Sequence, residues 1–165
     1  MSAARARRAW AALALGALVI AADQLTKALV AESIPIGGEE RLLAPLLSLV
    51  HTRNRGVAFG IDPGGSVVVA VLIALVLVVL ALYLARSLAS GPTWIVSGLV
   101  FGGAISNLID RVRIGSVTDF IKLPLGWPPF NIADASITVG VLLLVVMLLR
   151  SERRSERTEA SLHAL

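Results

Sequence analysis

Four aspartates (Asp23, Asp110, Asp119 and Asp134) and three asparagines (Asn54, Asn107 and Asn131) stand out in a chain that is otherwise dominated by aliphatic residues. Other chemistries fall away by inventory. The sequence has no cysteine, which removes a thiol nucleophile, thiolate-bound zinc and iron–sulfur clusters. Its two histidines, His51 and His163, lie in different segments, so no metal site of the H-E-x-x-H kind can be built from them and no metal or cofactor is assigned. A serine hydrolase of the nucleophile-elbow type would show G-x-S-x-G, and none is present. A Ser–Lys pair has only Lys27 and Lys122 to draw on. Carboxylates remain as the groups able to move a proton.

Each aspartate also has an ordinary reading. Asp23 and Lys27 are four residues apart and pair if helical. Asp110 can pair with Arg111 at a helix end, Asp134 can serve as an N-cap, and Asp119 can be a solvated loop residue. His51, within an alternating stretch, reads as a strand residue more than as a base. An ionisable group at membrane depth costs roughly 2.5–3.5 kcal/mol or more. Gathered near one face of so apolar a chain, the aspartates and asparagines read together as a site.

The elements that must position them follow from composition. Of 165 residues 56% are hydrophobic and 16% charged, and the mean hydropathy is +0.84. Soluble domains are about half apolar and a quarter charged, so the excess apolar surface must face lipid. The net charge of +4 does not indicate a nucleic-acid partner, because the arginines punctuate apolar runs instead of forming a basic face. Four spans are predicted, at about 10–30, 67–86, 92–111 and 133–150, with outer segments at 31–66 and 112–132 and a solvated cytoplasmic tail at 151–165. Arg5, Arg7 and Arg8 before an apolar stretch ending at Ala21-Ala22 mimic a cleavable signal. Three further spans and the continuation Asp23-Gln24-Leu25-Thr26-Lys27 favour an uncleaved first helix. Basic residues are denser in the short inner pieces, which places both termini in the cytoplasm. In the first outer segment, Leu47, Leu49 and His51 alternate with polar or smaller residues ahead of the turn-prone Asn54-Arg55-Gly56, a faint strand signal. The segment reads as a small sheet or a half-helix on the membrane surface. The second outer segment, with Pro124, Trp127, Pro128 and Pro129, is predicted irregular. Gly102-Gly103 would let the third span approach a neighbour closely.

Five motifs, in order, carry a resemblance. They are Asp23-Gln24-Leu25-Thr26-Lys27, the run Asn54 to Gly60 (NRGVAFG), the run Gly102 to Arg111 (GGAISNLIDR), Val117-Thr118-Asp119-Phe120-Ile121 and Phe130-Asn131-Ile132-Ala133-Asp134. Across about residues 10–148 the chain closely resembles the lipoprotein signal peptidases, bacterial signal peptidase II. It departs from them at Ser106, where glycine is more usual, and in a short stretch between Asp119 and Asp134.

The resemblance implies an all-α membrane protein: a four-transmembrane-helix bundle with a small extracytoplasmic β-cradle and a surface helix. It implies an aspartyl endopeptidase of the bacterial cytoplasmic (inner) membrane that removes the signal peptide from prolipoproteins, cutting just before a diacylglyceryl-modified cysteine. Asp119 and Asp134 match the catalytic pair, and Asn54 and Arg111 match residues that contact substrate. Asp23, Lys27, Gly56, Asn107, Asp110 and Asn131 match supporting positions. The implied partners are a lipidated prolipoprotein, membrane phospholipid and a globomycin-type inhibitor, with the protein a monomer and its site toward the outer face. The residues suit this chemistry, because two neighbouring carboxyls that share one proton can activate water and protonate a carbonyl. Asp134, heading a helix, is the partner biased toward ionisation. Arg111 could equally hold a substrate group or pair with Asp110. The rival reading is a small proton-coupled transporter or subunit with the acids as a relay, which calls for mid-span carboxylates and inverted repeats. Neither is evident in the sequence.

Overall fold

A stripe recurring every three or four residues runs down the first helix, where Gly16, Val19, Asp23, Lys27 and Val30 are buried. That spacing is one face of an α-helix, and it carries two ionisable groups into the interior. The structure, a computed structural model, describes residues 2–43, 46–56, 93–124 and 126–163 and positions 68, 71, 75 and 78, with side chains described as far as 151. Helix α1 (Ala3–Ser33) passes through Ala21-Ala22 unbroken, and the Ser2 hydroxyl caps it by accepting the Arg5 N–H at 3.4 Å. Helix α2 covers Thr93–Ile114 and helix α3 covers Ile132–His163.

Among the described residues, three helical stretches are long and apolar enough to cross a membrane: Ala3–Ser33, Thr93–Ile114 and Ile132–Ser151. Their outward residues, among them Leu13, Leu18 and Leu29 on α1 and Val139, Leu142 and Leu149 on α3, are exposed. So large an apolar surface is costly in water and suits lipid. The predicted second span, 67–86, lies outside the described residues except for Val68, Val71, Leu75 and Val78, which are helical and exposed. The polar segment after 151 continues α3 as helix to His163.

Helix α2 packs against both α1 and α3 and buries the most surface of the three. Its adjacent Gly102 and Gly103 account for the fit, as anticipated. A Cβ on Gly102 would stand 2.9 Å from Gly16 Cα, and one on Gly103 would meet the Ala133 carbonyl oxygen. Backbone therefore touches backbone on both sides of α2.

Over one end of the bundle lies a three-stranded antiparallel sheet, β1 (Glu39–Leu43), β2 (Leu47–Asn54) and β3 (Val117–Lys122), in the order β1-β2-β3. Pairing puts Thr52 opposite Asp119 and Asn54 opposite Val117. Val30, Ile34 and Phe120 form a core between sheet and helix, with Leu49, Ile121 and Ile132 packed against it. Strand β2 bears out the faint strand signal at 47–52, although Val50 and His51 are both buried and its burial does not alternate. His51 is a buried strand residue whose Nδ1–H donates to the Ile34 carbonyl at 2.8 Å. The second outer segment is not irregular throughout, which corrects the expectation. Val117, Thr118, Asp119 and Phe120 are all buried, so β3 shows no alternation to read, and its prolines follow the strand. Phe130 extends the sheet by a bridge to Ile121, with backbone hydrogen bonds of 2.8 and 3.0 Å.

Replacing Gly103 with valine should cost about 1–3 kcal/mol by overpacking against Ala133. The readout is a lower thermal midpoint in detergent, and an unchanged midpoint would contradict the close approach of α2 to α3.

Candidate active site

Asp23 and Lys27, one helical turn apart on the buried stripe of α1, form the expected pair at 2.7 Å. The ammonium goes further. Lys27 Nζ also meets Asp110 Oδ2 at 2.9 Å and donates to Asn107 Oδ1 at 3.0 Å, both on α2. Its three N–H bonds thus have three acceptors, in a place where Lys27 is 5% and Asp23 0% exposed. Buried ions are tolerated only when so fully partnered. The remaining valences of the carboxylates are also filled. Asp23 Oδ1 accepts Ala133 N–H at 3.0 Å, and Asp23 Oδ2 accepts the Ser106 hydroxyl at 2.8 Å. Asp110 accepts the Gln24 amide at 2.7 Å and Thr118 N–H at 3.1 Å. Asp110 thereby fixes the backbone one residue before Asp119.

The entry to α3 is a capping box. Asn131 Oδ1 accepts Asp134 N–H at 2.8 Å, and Asp134 Oδ2 accepts Asn131 N–H at 3.2 Å. Asn131 is therefore the N-cap and Asp134 the third residue of the helix, which corrects the reading of Asp134 as the cap. Its carboxylate is held in the first turn, where the helix dipole favours negative charge. Asn107 Nδ2 donates to the other oxygen, Asp134 Oδ1, at 2.8 Å.

Strand β3 brings the second acid. Asp119 Oδ1 accepts Asn131 Nδ2–H at 2.7 Å, and Asp119 Oδ2 accepts Asn54 Nδ2–H at 3.2 Å. Asn54 is itself set by an Asx turn, its Oδ1 accepting Gly56 N–H at 3.0 Å. Asn131 thus touches both acids, by its side chain on Asp119 and its backbone on Asp134. Burial pushes the Asp119 carboxyl up to about 7 and the neighbouring Asp134 charge adds to this, while the Asn54 and Asn131 donors pull the other way.

Arg111 does not pair with Asp110. Asp110 is taken up by Gln24, Lys27 and Thr118, and Arg111 donates to the Gly56 carbonyl at 2.8 Å and the Asn107 carbonyl at 3.3 Å. Its Nε–H is buried with no partner among the described residues. Every residue nominated from the sequence, namely Asp23, Lys27, Asn54, Gly56, Asn107, Asp110, Arg111, Asp119, Asn131 and Asp134, falls within this one connected network. Gln24 and Ser106 belong to it as well but were not nominated. Ser106 is fully buried, and its Oγ accepts the Gln24 amide at 3.1 Å while donating to Asp23. Its position four residues before Asp110 on one helix face was the available signal. Among the described residues no group of three acids or histidines is arranged to hold a metal ion.

Apolar helices capped by a small sheet, around one buried and one part-buried aspartate held in asparagine hydrogen bonds, define a helical membrane protein with a carboxylate site. Residues 15–150 match the family described as Signal peptidase (SPase) II. The lipoprotein signal peptidase of Halothermothrix orenii is 37% identical over 136 residues, covering 82% of this chain and 93% of that protein. That of Syntrophomonas wolfei is 41% identical over 140 residues, covering 85% and 93%. A bacterial membrane enzyme solved by the in meso method at 2.3 Å superposes with a TM-score of 0.73 at 30% identity, covering 86% of this chain and 88% of the other. The chain belongs to the signal peptidase II family, whose members are bacterial membrane proteins.

Because the Asp119 carboxyl lies above its ordinary value of 3.8, the folded state holds a proton there that the unfolded chain releases. Its stabilising effect is complete below about pH 4 and lost as pH rises through about 7. Between pH 5 and 8 the parent should therefore lose thermal stability relative to Asp119→Asn. A difference in midpoint that is constant across that range would contradict the raised value.

Proposed function

We propose that this protein is an aspartic endopeptidase that removes the signal peptide from prolipoproteins, cutting just before the diacylglyceryl-modified cysteine. The observation that carries the reading is the pair Asp119, buried, and Asp134, part-buried, bridged by Asn131. Two carboxylates this close ionise together only at high cost, so one proton is shared between them, and the pair titrates as a unit. Asp119, whose carboxyl titrates near 7, holds that proton. Asp134, in the first turn of α3, is the charged partner.

The reaction then runs as acid–base catalysis. Asp134 takes a proton from water as the oxygen attacks the scissile carbonyl carbon, and Asp119 gives its proton to the carbonyl oxygen. The tetrahedral diol collapses when Asp134 returns its proton to the departing amine and a diol hydroxyl reprotonates Asp119. One water is consumed, and both acids end as they began. No cofactor takes part. Arg111, with a free Nε–H, and Asn54 contact the substrate near the cut. Asn54 also orients Asp119.

The rest of the reading concerns the surroundings. Residues 67–86 supply a fourth span, and the sheet forms an extracytoplasmic cradle that a surface helix of the first outer segment accompanies. Both termini are cytoplasmic, and the site opens toward the outer face of the bacterial inner membrane. Substrate arrives laterally with its lipid among phospholipids, a globomycin-type inhibitor competes for the same place, and the protein acts as a monomer. The clustering of the acids at one end of the helices supports hydrolysis over a transmembrane proton relay.

In detergent or lipid with a lipidated prolipoprotein, Asp119→Asn and Asp134→Asn should each reduce cleavage by at least about a thousandfold while the protein stays folded. Appreciable turnover by either would remove the pair from the chemistry, and proton flux without cleavage would support the transporter. The alkaline limb of kcat/KM should fall near pH 7, as Asp119 loses its proton.

A further inference from the structure

We propose that Lys27 is a positioning residue for this reaction, acting through Asn107: the ammonium holds the Asn107 carbonyl and so fixes which end of that amide faces Asp134. The inference rests on the reading of Asp119 and Asp134 as the working pair. An asparagine amide is nearly symmetric in shape and opposite in polarity at its two ends. Its orientation must come from its neighbours.

Asn107 Oδ1 receives Lys27 Nζ at 3.0 Å and Asn131 Nδ2 at 3.2 Å, which leaves Asn107 Nδ2 on Asp134 Oδ1 at 2.8 Å. Turned over, the amide would set its NH2 against an ammonium and another NH2, and its oxygen against a carboxylate. Asn131 is oriented in turn by Asp134 N–H on its Oδ1, so that its own NH2 reaches Asp119. The two amides therefore run in one sense from the ammonium, and all four oxygens of the acid pair meet an N–H. Donors on a carboxylate favour its charged form, which offsets the cost of taking that charge out of water. The charged groups facing the pair are Asp23 and Lys27 from α1 and Asp110 and Arg111 from α2. β3 and α3 contribute only the pair itself.

Removing the ammonium frees Asn107 to present its carbonyl, which only a protonated Asp134 can satisfy. The test uses the full chain with Asp23→Asn, Lys27→Met and Asp110→Asn combined, which leaves no unpaired buried charge. The acid limb of kcat/KM should move up by at least about one pH unit, a roughly tenfold loss at the acid end. Losing the Lys27 charge also moves the limb up by its field, but a field effect would add to the effect of Asn107→Leu, whereas an effect carried by the amide would not. Asn107→Leu alone, with the charge cluster intact, should shift the limb upward as well. Adding it to the triple variant should shift it little further, because both act through one amide. A limb that stays in place with activity lowered equally at every pH, a downward shift, or two shifts that sum would each overturn the proposal. Asn107→Leu decides this even if the triple variant fails to fold. Infrared titration of the carboxyl band in 13C-aspartate-labelled protein follows the same ionisation without substrate. Should Asp119→Asn or Asp134→Asn retain cleavage, the reading of the two acids as the working pair fails while the infrared shift still decides the role of Lys27.

Discussion

One ammonium shared by two carboxylates and an amide carbonyl holds the site together. Taking ions out of water costs several kcal/mol each, and their attraction repays this only where every donor and acceptor is matched. Around Lys27 the match is complete, and the matching partners come from different elements. Asp23 belongs to α1 and binds the Ala133 N–H of α3, while Asp110 belongs to α2 and binds the Thr118 N–H of β3. The charge cluster thus sets the mutual position of three helices and a strand. Loss of one partner would strand a buried charge, a defect worth about 3–5 kcal/mol.

The acid pair is built on that frame by neutral amides alone. Asn54, Asn107 and Asn131 each offer the N–H that a carboxylate needs, without bringing a cation that would neutralise it. Burial acts in the other direction. The balance leaves Asp119 near 7, in the range where a carboxyl can donate a proton at neutral pH. A guanidinium placed directly on either acid would tip the balance toward full ionisation, and Arg111 is directed to backbone carbonyls instead.

What the sequence made legible follows the same physics. Asp23 and Lys27 could be paired because helical spacing is fixed and polar residues within an apolar stripe must find each other. The helices could be placed because hydropathy sets them. Strands β1 and β3 could not: one is exposed along its whole length and the other has its first four residues buried, so neither alternates. The capping box was visible as Asn131 and Asp134 three residues apart, but assigning the cap required knowing where the helix begins. Gln24 and Ser106 were passed over because each can bond to its own helix backbone, although Ser106 stands one turn before Asp110 on the same face.

The bridge between Ile121 and Phe130 has a consequence for how this part of the chain can diverge. It staples the intervening stretch at its base, two residues beyond Asp119 and one before Asn131. Insertions and deletions beyond the staple change the reach of the outer turn without altering the spacing of Asp119 and Asp134. The short stretch noted in this sequence is therefore a place where the chain can change in length while the two carboxylates stay in register.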